Sequence, residues 1–236
     1  ELIWLHEILG EIEALAVRKD SGIEKVEDLA GKSIATTFAS TSHYSLLQVL
    51  NEAGIADQVQ LLDMQTVDIV AAWERGDIDA AYTWQPSLGS LLENGDMLVS
   101  SEQVASMGHQ TANVLLARKG FTEQYPELTA DFIAALIAGG NLYRENPEQA
   151  AAIVAAPLGI TVENALGQMQ GSIWLTAEEE ISEAYMGTSE SAGAFSKVMK
   201  ETADFLLEQG SITESPSQEE FDAFINPKYI EMYLER

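Results

Sequence analysis

The stretch Ser40-Thr41-Ser42-His43-Tyr44 sets hydroxyl groups and an imidazole directly ahead of an apolar helical run that continues through Leu46 and Leu47. The first turn of a helix leaves backbone N–H groups unpaired and carries the positive end of the helix dipole. A hydroxyl-rich helix entrance of this kind can hold a sulfonate, phosphate or carboxylate without Lys or Arg. The same residues also read as a plain helix cap, with Ser40, Thr41 or Ser42 accepting from the first turn.

Other groupings invite other chemistry. His6-Glu7 suggests a metal site, but Gly10 stands where the second His of a His-Glu-x-x-His zinc motif would be. His43 and His109 are distant and lack acidic residues at ligand spacing, so no metal site is expected. Glu11 and Glu13, two apart on an expected strand, would share a face and repel each other. One of them facing a ligand cation is the useful reading, and a solvated surface carboxylate is the plain one. No nucleophile elbow, dinucleotide fingerprint or phosphate loop occurs, and there is no cysteine, which removes thiol nucleophiles, thiolate metal sites and disulfides. No catalytic residue and no cofactor is expected. Trp73 falls on a helix of regular apolar period and reads as core, whereas Trp84 and Trp174 stand at element ends, where they can stack on a ligand.

These residues need positioning elements. Strands are expected at Leu2–Leu5, Ala14–Arg18, Ser33–Thr37, Val59–Met64, Asp79–Trp84, Met97–Ser100 and Thr111–Arg118. A polar connection, Glu7 to Glu13, separates the first two. Helices at Tyr44–Ala53, Val67–Arg75 and Pro86–Asn94 alternate with them, two ending at Gly54 and Gly76. This alternation predicts an α/β lobe with a mostly parallel sheet, whose strand ends put Thr37–Tyr44 and Tyr82–Pro86 on one rim. Beyond Arg118 helices are expected at Leu128–Tyr143, Pro147–Ala155, Val162–Met169, Ala194–Gln209 and Gln218–Leu234.

Composition narrows the partners. With 38 Asp+Glu against 12 Lys+Arg, the formal charge of -26 disfavours nucleic acid and anionic membrane surfaces. At 236 residues and 46% apolar residues, two lobes are the expected organisation. The apolar runs fall short of the roughly 20 residues needed to cross a bilayer. The opening Glu1-Leu2-Ile3-Trp4-Leu5 starts abruptly on strand-like residues and reads as a chain that has lost its beginning.

Several segments carry a resemblance: Gly10-Glu11-Ile12-Glu13-Ala14-Leu15, Ser40 to Leu46, Asp63-Met64-Gln65, the block Ile69 to Pro86, and Trp174-Leu175-Thr176. Together they are similar to the taurine-binding periplasmic proteins, the substrate-binding subunits of ABC importers for sulfonates. The resemblance implies an exported, periplasmic, monomeric, non-enzymatic receptor of the two-lobed type II periplasmic binding fold, which closes on a small sulfonate and delivers it to a membrane permease. It implies a first lobe over residues 1–31, N-terminally incomplete, a second lobe over 32–110, and a return to the first lobe over 111–236. It assigns Ser40, Thr41, Ser42, His43 and Tyr44 to the sulfonate, and Glu11 to the ammonium of taurine. Trp84 and Gln85 become an aromatic–polar pair at the rim, with Trp174 and Thr176 on the opposite wall. Where relatives read Thr-x-Asp-x-Trp, this chain has Thr111-Ala112-Asn113-Val114-Leu115, so Asn113 meets the amine without a charge. Alternatives are a receptor for another small anion, such as an alkanesulfonate, nitrate or an aromatic acid, and an enzyme on the same scaffold of the pyrimidine-biosynthesis type.

Overall fold

An apolar run at the amino end forms strand β1 (Leu2–Leu9), longer than its sequence signal because it continues through His6 and Glu7. A turn over Gly10–Ile12 leads into β2 (Glu13–Arg18), whose residues Ala14 to Val17 are all buried. In the computed structural model, which describes residues 1–236, these two strands belong to different compact units. Glu1–Ile8, Ala112–Met169 and Ile173–Arg236 make the first, and Leu9–Thr111 with Gln170–Ser172 the second.

The second unit continues with β3 (Ser33–Thr36), α1 (Thr41–Glu52), β4 (Gln60–Asp63), α2 (Thr66–Arg75), β5 (Ala80–Trp84), α3 (Ser87–Leu92), β6 (Gly95–Ser100) and α4 (Ser101–Ser106). Its five strands lie in the order β4-β3-β5-β2-β6. Because side chains alternate across a strand, Ala14 and Ala16 face a core with Ile69, Trp73, Leu88 and Leu91, while Leu15 and Val17 face Ile34, Leu46, Leu50 and Tyr82. Small residues on one face of β2 make room for the Trp73 indole, whose Nε1 donates to Asn94 Oδ1 at 2.6 Å.

Two expectations change here. The sheet is mixed rather than mostly parallel: β3 runs parallel to β4 and β5, but β2 is antiparallel to β5 and β6. A helical crossover enforces parallel pairing only between the strands it joins, and β2 is joined to neither neighbour in that way. The change of lobe also falls between Ile8 and Leu9, not at residue 32, because the pairing of β2 with β5 and β6 holds it in the second unit.

In the first unit β1 pairs antiparallel with β7 (Ala112–Leu116); the strand order is β7-β1-β8, and of β8 (Ser172–Ile173) Ile173 belongs to this unit. Around it stand α5 (Lys119–Gln124), α6 (Pro126–Glu145), α7 (Pro147–Leu158), α8 (Val162–Met169), α9 (Ala177–Glu180), a small hairpin of β9 (Gly187–Thr188) and β10 (Ser191–Ala192), α10 (Phe195–Glu208), α11 (Gln218–Phe224) and α12 (Lys228–Leu234). Leu2, Leu5, Ile8, Ile133, Tyr229 and Ile230 form its core. The expected single helix over Gln218–Leu234 is two. Pro227 brings no N–H, and Asn226 leaves the helical path to donate its own N–H to Leu2 O at 2.8 Å. No single helix is long and apolar enough to cross a membrane.

Candidate functional site

One edge of the second unit's sheet collects the residues with chemistry. β3, β4, β5 and β6 end there, and β2, running the other way, begins there with Glu13. The start of α1 follows directly from β3, Asp63 closes β4, Trp84 closes β5 opposite Glu13, and Ser101 opens α4 after β6. Ligands of open α/β sheets bind outside the carboxyl ends of the strands for this reason.

At the centre is Glu13, only 1% exposed. Its Oε2 accepts from Thr41 Oγ1 at 2.6 Å and from Ser42 Oγ at 2.7 Å, and its Oε1 accepts from Ser101 Oγ at 2.8 Å. Ser101 in turn lies 3.0 Å from the Tyr82 hydroxyl. Since the Ser101 proton is directed at Glu13, Tyr82 is the donor of that contact. Burial raises the Tyr82 pKa, the Ser101 bond opposes it and the Glu13 charge adds to it, so the phenol stays protonated at neutral pH. Hydrogen bonds to a charged group contribute about 1.5–3 kcal/mol each, which offsets part of the cost of burying this carboxylate.

Ser40 is the N-cap of α1: its Oγ accepts from His43 N at 3.2 Å and donates to Thr37 O at 2.5 Å. The plain cap reading therefore holds for Ser40. The backbone N–H groups of Thr41 and Ser42, in the first turn, have no hydrogen-bond acceptor within the chain; Thr41 is half-buried and Ser42 fully buried. Ala39, just before the cap, has a φ of 56°, in the left-handed region that costs a residue with a Cβ about 1 kcal/mol or more. Its N–H is thereby turned to His43 Nδ1, 3.3 Å away, and the Phe38 N–H to Asp63 Oδ1, 3.0 Å away. His43 stacks on Phe38 with ring centroids 4.3 Å apart. Burial lowers the His43 pKa and Asp63 partly restores it, so at neutral pH the ring is uncharged, with its proton on Nε2. Tyr44 is buried, edge-on to His109.

The structure brings Ser40, Thr41, Ser42 and His43 to one edge with Trp84 and Gln85, where Gln85 Oε1 accepts from Gly89 N at 3.2 Å. Glu11 and Glu13 do not share a strand face: Glu11 is exposed in the turn before β2, and Glu13 is the buried one. Sequence reasoning named Glu13 only as an alternative and missed Ser101. The signal for Glu13 was its place at the head of the fully apolar run Ala14 to Val17, which marks a central strand. For Ser101 there was none, because its contact with Glu13 spans 88 residues. Asn113, Trp174 and Thr176 lie in the first unit. Asn113 Nδ2 donates to Glu7 Oε1 at 2.6 Å, and Thr176 caps α9 by accepting from Glu179 N. Trp174 packs edge-on against Tyr143 at 4.5 Å and lines an apolar cavity of about 280 Å³ with Trp4, Leu142 and Met169, its Nε1 buried without an acceptor.

A family model described as NMT1/THI5 like matches residues 8–150. A taurine-binding periplasmic protein of Escherichia coli (strain K12) is 38% identical over 219 residues, covering 90% of this chain and 66% of that protein. A putative aliphatic sulfonates-binding protein of the same strain is 28% identical over 149 residues, 63% of this chain and 46% of that protein. The chain thus spans no more than 66% of the length of these curated relatives. Among solved structures, the periplasmic aliphatic sulphonate binding protein SsuA from Escherichia coli superposes with a TM-score of 0.73 at 21% identity, over 96% of this chain and 74% of that one. The desulfurization enzyme DSZB superposes with a TM-score of 0.64 at 20% identity, over 100% and 79%. At such identities the likeness establishes a shared fold, the α/β fold of periplasmic sulfonate-binding proteins.

Proposed function

Because this chain belongs to the NMT1/THI5-like family, we propose that it acts as the substrate-binding component of an ABC importer and captures taurine or a related short sulfonate. The observation that carries the reading is the entrance of α1. Two unpaired backbone N–H groups, of Thr41 and Ser42, sit at the positive end of a 12-residue helix, at the sheet edge where ligands of such folds bind. In a chain of formal charge -26, a neutral, dipole-based anion site suits a small ligand and discourages polyanions.

Sulfonate oxygens would accept from those N–H groups, with Trp84 and Gln85 beside them on the same edge. Ser40, His43 and Tyr44 shape the entrance by capping, stacking and burial. Glu11, Asn113, Trp174 and Thr176 enter the reading on the resemblance alone. The periplasm, a monomeric state and a permease partner follow from the same relatives as proposals. The chain binds rather than converts its ligand in this reading: Thr41 and Ser42 donate to a carboxylate that is itself fully enclosed, and the adjacent imidazole Nδ1 accepts a backbone N–H.

Titration calorimetry tests this directly. Taurine, or isethionate in which a hydroxyl replaces the amine, should bind with one site and saturate; silence toward both overturns the sulfonate reading and moves the search to nitrate and carboxylates. Turnover of a bound compound on incubation would instead favour an enzyme.

A further inference from the structure

The corner between β3 and α1 commits its backbone donors on both sides of Thr41 and Ser42. The Phe38 N–H reaches back to Asp63 Oδ1 at 3.0 Å and the Ala39 N–H forward to His43 Nδ1 at 3.3 Å. The His43 and Tyr44 N–H groups go to Ser40 Oγ and Ser40 O. How this corner is held therefore fixes the direction of the Thr41 and Ser42 N–H groups within it. Its weak point is Ala39, exposed and at a φ of 56°, a conformation that a residue with a Cβ leaves unless a contact opposes it. The buried His43 ring supplies that contact, stacked on Phe38 and accepting the Ala39 N–H. We propose that His43 is a positioning residue of this site: its Nδ1 lone pair keeps Ala39 in the left-handed corner and so aims the Thr41 and Ser42 N–H groups at the ligand anion. The inference rests on the sulfonate reading and deepens it, making anion binding depend on an imidazole that does not itself hold the anion.

A backbone N–H can only donate, so this contact exists only while Nδ1 carries no proton. Protonation would set two donors face to face and release the Ala39 corner. Burial opposes that protonation, and Asp63 at the end of β4 favours it. The other titratable groups on elements packed against α1 are engaged elsewhere. Glu13 of β2 accepts from Thr41, Ser42 and Ser101, Tyr82 of β5 meets Ser101, and His109 after α4 meets Tyr44. Glu102 of α4, and Glu52 and Asp57 at the far end of α1, are exposed. A sulfonate stays anionic throughout the histidine range, so the ligand adds no titration of its own.

The experiment titrates taurine into the wild-type chain and into His43→Asn, His43→Leu, and His43→Leu with Ala39→Gly. Wild-type affinity should fall by about threefold between pH ~7 and pH ~5. Asn places an acceptor oxygen where Nδ1 stands and does not titrate. His43→Asn should therefore bind within about twofold of the wild type at neutral pH and lose the acid fall. His43→Leu should weaken taurine about tenfold, and Ala39→Gly added to it should restore most of that loss, because Gly keeps a positive φ without a holding contact. In the wild type, taurine should also lower the His43 pKa, read from its imidazole proton resonances, since binding selects the neutral ring; this reports even if a variant does not fold. Affinity that rises in acid, or a His43 pKa raised by taurine, would mean that the ring pairs with the sulfonate as a cation. An acid fall retained in His43→Asn would belong to another group, and no recovery on adding Ala39→Gly would mean that the ring does not act through the corner. Each of these overturns the inference and leaves the sulfonate reading intact. A wild type that binds no taurine overturns both.

Discussion

Ser40 accepts from the first turn of α1 and donates to Thr37 O, so one hydroxyl ties the helix to the strand that delivers it. Ser40→Ala should lower stability by about 1 kcal/mol, the usual effect of losing an N-cap, read as a fall in urea midpoint with unchanged slope. Glu180 is the other residue whose chemistry is set by burial. It lies fully inside the first unit, Oε2 accepting from Leu5 N at 3.1 Å and Oε1 without a partner, and burial pushes its pKa up to about 8, the Leu5 bond opposing. The folded state therefore holds a proton that the unfolded chain releases near the ordinary Glu value. Its contribution to stability is present below pH ~4.5 and is lost as pH rises toward ~8, with a slope of up to about 1.4 kcal/mol per pH unit. Glu180→Gln should remove this component, so the stability difference between variant and wild type should shift in favour of the variant from pH 5 to pH 8. Parallel pH profiles would refute it.

Among the elements, β2 decides the most. It lies between β5 and β6, it starts with Glu13, and its alternating small and large residues sort the two cores of the second unit. Its other contact of consequence is with Gly95, at the head of β6. A Cβ there would stand 2.6 Å from Trp73 Cζ2, 2.8 Å from Val17 O and 2.9 Å from Leu91 O. Two of these atoms are backbone and the third belongs to a fully buried indole, so nothing can yield cheaply. Gly95→Ala should lose about 1–3 kcal/mol, measured by denaturation, without changing ligand selectivity. The helices α11 and α12 make the complementary point: an apolar pattern continuous enough to read as one helix is interrupted where Pro227 removes a donor and Asn226 is recruited by β1.

At the scale of the molecule, the dominant fact is charge. With 38 acidic and 12 basic residues, and most of the ion pairs exposed, the folded chain repels itself. Raising ionic strength from 0.1 to 1 M shortens the screening length from about 10 to about 3 Å. A gain of about 1 kcal/mol, seen as ~2–4 °C in Tm, is expected. A Tm that is flat in sodium chloride would show that the surface charges are already spaced beyond each other's reach. A ligand at 100 times its Kd should add about 2.7 kcal/mol on top, which makes thermal shift a second readout of sulfonate binding.

Local patterns in the sequence determined the alternation of strands and helices, the helix entrance at Ser40–Tyr44, Trp73 as core and the absence of thiol chemistry, because each is written in residues a few positions apart. The block around Ile69–Pro86 was legible for the same reason, and the family model described as NMT1/THI5 like that matches residues 8–150 spans it. Only the tertiary structure decided that β2 leaves the company of β1 at Leu9, that it runs against its neighbours, and that Glu13 rather than Glu11 is the buried carboxylate. Each depends on partners 28 to 88 residues away, and none of these partners is near in sequence. The sequence placed the hydroxyls at the entrance; folding brought the Glu13 carboxylate beneath them, where Thr41 and Ser42 donate to it.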